Sequence, residues 1–264
     1  MLLILTHDVD WSRRGPPTEH VIARLDRFDW SYRYRFFSLR ENIYDGIADI
    51  VEAEQRQGVR STFFFRTLYD DNTTAELYSD VISELRRGGW EIGLHANSGS
   101  SLREIEAEKK MLEKLYANSI YSLRVHYLRI DREIIPRLST IGIKFDSSLC
   151  TSRTKLDLQS SGCIIYGGVV ELPITLMDAY MFTYWGVRPE ETYRKLVDVL
   201  KYLKSVGIEI ATILWHVNSI KMRGGKEYIR FIEDIWRLEW LTPLRVVDIA
   251  MFVGKGKVLC KVYE

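Results

Sequence analysis

Two aspartates one residue apart, Asp8 and Asp10, stand at the end of the apolar run Leu2-Leu3-Ile4-Leu5. Side chains alternate along an extended segment, so Thr6, Asp8 and Asp10 share one face while His7 and Val9 take the other. Like charges held this close repel unless a cation or a shared proton lies between them, which makes the pair a candidate metal site or acid/base dyad. A lone Asp after a strand more commonly forms a turn or caps a helix. The imidazoles repeat the pattern: His7, His95 and His216 follow apolar runs directly, His126 lies late in one, and only His20 falls in a loop-like stretch. One histidine on an apolar strand is usually a satisfied core residue, but four so placed, with Asp8, Asp10 and Asp146 in similar positions, describe a polar site.

Something must gather these residues. Apolar runs at 2–5, 59–66, 90–95, 123–128, 142–148, 169–174 and 208–216 read as strands, and most end in a charged or ligand-type residue. Between them, segments 41–57, 73–87, 101–116, 131–141, 189–205 and 228–240 read as helices. Gly58 closes the first, Thr73-Thr74-Ala75-Glu76 and Ser101-Leu102-Arg103-Glu104 are capping-box starts, and Pro189 suits a first helical turn. Alternation of strand and helix, with no linker or shift of composition, implies parallel βαβ units in one domain over 1–264. Seven such strands suit a (β/α) barrel, in which the C-terminal strand ends meet at one face. Two aromatic-rich stretches would lie near that face. Segment 11–39 reads as a long irregular loop packed by its own aromatics, with stacking on sugar rings or bases as the alternative; segment 177–185 reads equally as a sugar platform or as packing. The tail 257–262 is strand-like and has no assigned place.

Composition narrows the class. With 46% hydrophobic and 28% charged residues and a formal net charge of +1, the chain has ordinary globular chemistry, and no basic excess points to nucleic acid. No apolar run reaches membrane-spanning length, and the amino terminus carries no basic leader or cleavage site, so a cytoplasmic protein is expected. Cys150, Cys163 and Cys260 are odd in number without CxxC spacing and read as free. A Cys150–Cys163 bridge would suit a hyperthermophile, to which the scarcity of Gln (Gln55, Gln57 and Gln159 alone) alongside many Arg, Ile and Tyr also points.

Thr6-His7-Asp8-Val9-Asp10, Gly93-Leu94-His95, Arg124-Val125-His126-Tyr127, Phe145-Asp146-Ser147-Ser148 and Leu214-Trp215-His216 resemble, in order, the five motifs of polysaccharide deacetylases, carbohydrate esterase family four. Each motif is short, and the order of all five carries the likeness. The resemblance implies a distorted (β/α) barrel of seven strands and a divalent metal, zinc by expectation, that hydrolyses N-acetyl groups on sugars. It assigns Asp8 as catalytic base, Asp10 and His95 as metal ligands, Arg124 as partner of the base, Asp146 as the acid that orients the last histidine, and His216 as general acid. Two departures stand out. The second histidine of the family's second motif is Gly99 here, leaving the site one ligand short; His126, on the inward face with Arg124, is the first candidate to complete it, with Asn97, Ser98 and His7 the others. The acids of the first motif are also spaced by one residue instead of adjacent, a variant associated with amidase-like branches. The expected activity is therefore removal of acetyl from an N-acetylated sugar or saccharide intermediate, with hydrolysis of a non-sugar amide such as a ureide, or a carbohydrate-binding barrel without catalysis, as alternatives.

Overall fold

The structure, a computed structural model, describes residues 1–254, 256 and 260–263. β1 (Leu2–Val9) is buried along its whole length, as its apolar run requires of a strand covered on both faces. The chain continues through α1 (Thr18–Ile22), α2 (Trp30–Leu39), α3 (Ile47–Gln57), β2 (Thr62–Phe65), α4 (Ser79–Gly88), β3 (Glu91–Ala96), α5 (Leu102–Tyr116), β4 (Ser122–Val125) and β5 (Phe145–Asp146). A hairpin of β6 (Ile164–Tyr166) and β7 (Val169–Glu171) leads to β8 (Ile174–Met177), α6 (Asp178–Thr183), α7 (Thr192–Ser205), β9 (Ile210–Leu214), α8 (Gly225–Glu233), β10 (Thr242–Leu244), α9 (Ala250–Val253) and β11 (Lys261–Tyr263).

Parallel pairing runs without a break through β5, β4, β3, β2, β1, β9 and β8. The two ends of this curled sheet then meet. β7 pairs in parallel with β5, and the chain beyond β5 reaches β8 through a bridge between Cys150 and Ile174, where the Ile174 N–H donates to Leu149 O at 2.8 Å. Pro173 cannot donate to the ladder, and it divides this last strand into β7 and β8. The result is the distorted seven-stranded barrel expected from the alternation, with β10 beside the first half of β1 and β11 beside β6 as additions.

Helices α3, α4, α5, α7 and α8 bury apolar faces on the outside of the sheet. Inside, Leu2, Ile4, Phe64, Phe145, Leu172, Ile210 and Val246 close one end with an apolar plug. Gly93 permits it: a Cβ there would stand 2.5 Å from the Phe64 ring, which extends across the interior beneath the Arg124 guanidinium, 4.5 Å from the ring centroid. The plug separates a small buried polar cluster at the strand starts, where Thr62 and Ser122 donate to Glu91, from the larger polar group at the other end, where the parallel strands terminate.

Several expectations need correction. Segment 11–39 is not irregular: α2 forms with no buried residue, so it lacks the one-sided apolar periodicity that would betray a helix. Its surroundings do pack on themselves, through Val21, Phe28, Ile43 and Tyr44 with Trp11, Tyr32 and Phe36. The helix expected from 41 starts at Ile47, and a tight turn over Ala75–Tyr78 precedes α4, with no side-chain cap from Thr74. Ser101 does cap α5, accepting from Glu104 N–H at 3.3 Å. The cysteines are not all free: Cys163 and Cys260 form a disulfide, because β11 lies parallel to β6 and each strand follows its cysteine directly. A pairing across 97 residues leaves no trace in local spacing. Cys150 is free, and burial pushes its thiol up to about 12. Of the strand-like tail, 261–263 is β11 and 257–259 lie outside the described residues.

Candidate metal centre and catalytic site

The site is built on the ends of β1, β3, β4 and β9. Asp8 lies within β1 and Asp10 one residue beyond it, while His95 and Arg124 face each other in register on β3 and β4. His95 donates Nδ1–H to Arg124 O at 3.1 Å; a carbonyl can only accept, so the proton is on Nδ1 and the Nε2 lone pair faces Asp10. His126 follows β4 directly. Its Nδ1 stands 3.0 Å from His95 Nε2 and 3.4 Å from Asp10 Oδ1, and His95 Nε2 is 3.2 Å from the same oxygen. Ligands at zinc-like distances in a tetrahedral arrangement stand about 3.3 Å apart. Three donor atoms with this spacing, two of them imidazole nitrogens facing each other, fit a divalent cation, and two of the three residues, Asp10 and His126, line the cavity.

The third donor atom of this cluster comes from the residue directly after β4, not from position 99. A Cβ at Gly99 would stand 2.5 Å from Arg129 O and 2.8 Å from the Ile130 Cα, so no histidine fits there while the segment after His126 keeps its course. That segment is tied down by a bridge between Gly99 and Ile130 and by Asp131 N–H donating to Gly99 O at 3.0 Å. Tyr127 and Leu128 both hold positive φ, an uncommon conformation for side chains of this kind and a sign that the surroundings impose the turn that presents His126. The other candidates fall away. His7 faces outward and bonds Trp215 O and Glu54, Asn97 is held by Arg66 and Glu108, and Ser98 meets Ser100.

Two groups flank the three donors. Asp8 is buried and receives Arg124 Nη1–H at 2.7 Å; its other oxygen is 3.8 Å from His95 Nε2. Arg124 itself is fully buried and satisfied, donating also to Thr6 Oγ1, Ser147 Oγ and Ser147 O. On the other flank His216 Nε2 lies 3.7 Å from Asp10 Oδ2. Its Nδ1–H donates to Asp178 Oδ1 at 2.5 Å and its backbone N–H to Asp178 Oδ2 at 3.1 Å. Burial disfavours the imidazolium, but the adjacent Asp178 carboxylate and its hydrogen bond outweigh that, raising His216 to about 10. Asp10 is held well below the usual carboxylate range: burial opposes ionisation, and the neighbouring His126, His95 and His216 side chains overcome it.

Among solved structures, a protein from Mycobacterium smegmatis described as a polysaccharide deacetylase superposes with a TM-score of 0.70, covering 100% of this chain and 93% of its own at 18% identity. A second, from Pseudomonas aeruginosa PAO1 and described likewise, gives 0.66 over 96% and 91% at 16% identity. The chain has the polysaccharide deacetylase fold. A CE4 family pseudoenzyme from Bacillus anthracis shares the polysaccharide deacetylase fold at a TM-score of 0.52 and 11% identity, covering 94% of this chain and 64% of its own. No protein-family model and no curated protein matches the sequence.

On this fold the expected residues come together with one exception. Asp8, Asp10, His95, Arg124, His126 and His216 converge, but Asp146 does not reach His216. It accepts from Ser148 Oγ at 2.6 Å and lies against Glu171, whose carboxyl is pushed well above its ordinary range by burial and then by Asp146. Asp178 takes the expected role, because the seventh strand is extended past Pro173 and its C-terminal end, at Met177, lies beside β9 in register with Leu214. Asp178 directly follows β8 as Asp10 directly follows β1, but Pro173 and the short apolar run 169–174 end the expected strand before it. Arg66 was also missed. It lies one residue beyond β2 and donates to Asp10 O, Asn97 Oδ1 and Asp70 Oδ1, fixing the loop that carries Asp10.

Proposed function

We propose that this protein is a divalent-metal-dependent hydrolase of carbon–nitrogen bonds, acting on an N-acetylated sugar or saccharide intermediate. The observation that carries the proposal is the trio Asp10, His95 and His126, flanked by one buried carboxylate and one cationic imidazole. A divalent cation held by the trio, with zinc the natural match to one carboxylate and two imidazoles, would supply an acidified water and a polarised acyl carbonyl. Asp8, paired with Arg124, is placed to take the proton of the attacking water. His216, kept cationic by Asp178, is placed to protonate the departing amine nitrogen, which leaves poorly as an amide anion. Arg124 and Asp178 act by position, each fixing one proton-transfer group through a short hydrogen bond. Asp146, buried against Glu171 and bonded by Ser148, serves the strand ends instead of the reaction.

The cavity supports a substrate of saccharide size. Asp10, His126 and His216 line a space of about 740 Å³, with Trp11, Tyr44 and Phe182 among its walls, within the range of pockets that take small organic ligands. Phe182 also packs edge-on against Trp215, so the segment after β8 is partly wall and partly core. No helix among the described residues is long and apolar enough to cross a membrane. The test is acetate release from N-acetylglucosamine and its oligomers by protein loaded with zinc or cobalt. Release that is removed by chelation and by Asp8→Asn supports the reading; cleavage of a ureide but of no N-acetyl sugar would move the substrate class, and no cleavage of either by the loaded protein would leave a binding protein.

A further inference from the structure

The same cavity has a second, cationic part. Arg24, Arg27 and Arg223 line it together with Asp10, His126 and His216. Arg24 is half-buried, and its one side-chain hydrogen bond is a long one, 3.4 Å to His20 O. Among the described residues no carboxylate lies within ion-pair distance of Arg24 or Arg27. That sets them apart from Arg13, Arg35, Arg66 and Arg245, each of which contacts an Asp or Glu at 2.5–2.7 Å. Arg223 is only 3.7 Å from Asp29, and Asp29 is itself engaged by Lys226. Asp26 also lines the cavity but pairs with none of them.

These cations act on the cavity itself. His20, also on its wall, is depressed first by burial and then by Arg24 and Arg27. The whole chain carries a net charge of +1, so no general surface field would hold an anion and local groups must do so. A guanidinium without a partner beside a reaction centre is suited to a phosphate or carboxylate, which it binds through paired N–H donors.

We propose that Arg24 and Arg27, with Arg223, form a subsite for an anionic group on the substrate, a phosphate or a carboxylate carried by the saccharide whose amide reaches the Asp10, His95 and His126 centre. The subsite deepens the hydrolase reading and rests on it for its catalytic consequence, whereas the binding it predicts needs neither metal nor turnover. Calorimetric titration of the metal-free protein with N-acetylglucosamine 1-phosphate, N-acetylmuramic acid and N-acetylglucosamine tests it and separates the two anionic sources. At least one charged sugar is expected to bind about tenfold more tightly than the neutral one, the worth of one charge-assisted contact. The preference should vanish in Arg24→Gln/Arg27→Gln with an unchanged melting temperature, and return in part with Arg24→Lys/Arg27→Lys. Equal binding of the three sugars, no binding of any, or a preference that survives the glutamine pair would overturn the subsite. A charged-sugar preference with no cleavage of an N-acetyl sugar or a ureide by the metal-loaded protein would keep the subsite and refute the hydrolase.

Discussion

Asp178→Asn isolates the least expected contact of the site. Asparagine retains an oxygen for the His216 Nδ1–H but removes the charge that holds the imidazolium. In the native arrangement His216 titrates at about 10, so at pH 8 it is almost wholly cationic. Without that charge burial acts against the cation, and even at the ordinary imidazole value, about 6.5, only about 3% would be protonated at pH 8. A general acid present in that fraction lowers the rate at least roughly thirtyfold, or about 2 kcal/mol of barrier. Near pH 6 most of the acid is restored and the loss should shrink to a few-fold. The assay is the pH profile of kcat for acetate release, paired with an NMR titration of the His216 ring in metal-free protein. A deficit of equal size at pH 6 and pH 8, or a ring titration that does not move, would refute the assignment of Asp178 as the partner of His216.

Other outcomes follow from neighbouring contacts. Arg124→Met leaves Asp8 buried without its partner and should cost about 3–5 kcal/mol of stability in denaturant unfolding as well as activity. Gly99→His should not rescue a His126→Ala protein, because its side chain meets Arg129 O and Ile130; a melting temperature lowered by several degrees and no recovery of metal binding are expected. The raised His216 value stabilises the metal-free fold fully below about pH 6.5, and that contribution disappears as pH rises through about 10. The stability gap between wild type and Asp178→Asn should narrow over that interval. Reduction of Cys163–Cys260, which closes a loop of 97 residues, should cost about 2–4 kcal/mol in chemical unfolding.

Much of this was legible in the chain because βαβ physics is local. Apolar runs long enough for a strand, followed by amphipathic segments with caps, fix the barrel, and strand-end acids and imidazoles fix where its chemistry lies. The step to His126 was also legible, since alternation along β4 places it near Arg124 and the gap at Gly99 called for a donor. What stayed hidden depends on long-range closure. Asp146 and Asp178 each follow strand runs, and only the meeting of β8 with β9 decides which of them reaches His216. The disulfide depends likewise on β11 finding β6. Helix α2 was hidden because aromatics lie on its packed side, Tyr32 and Phe36, and on its exposed side, Trp30, Tyr34 and Phe37, so no single apolar stripe marks it.

The central claim is that one cation is held by Asp10, His95 and His126. Titration of metal-free protein with cobalt(II), followed by visible absorption, measures this directly. The account predicts one equivalent with the intense bands of a low-coordinate nitrogen and oxygen site, abolished or severely weakened in His126→Ala and unchanged in His20→Ala. Cobalt binding by His126→Ala with wild-type stoichiometry, affinity and spectrum would contradict it.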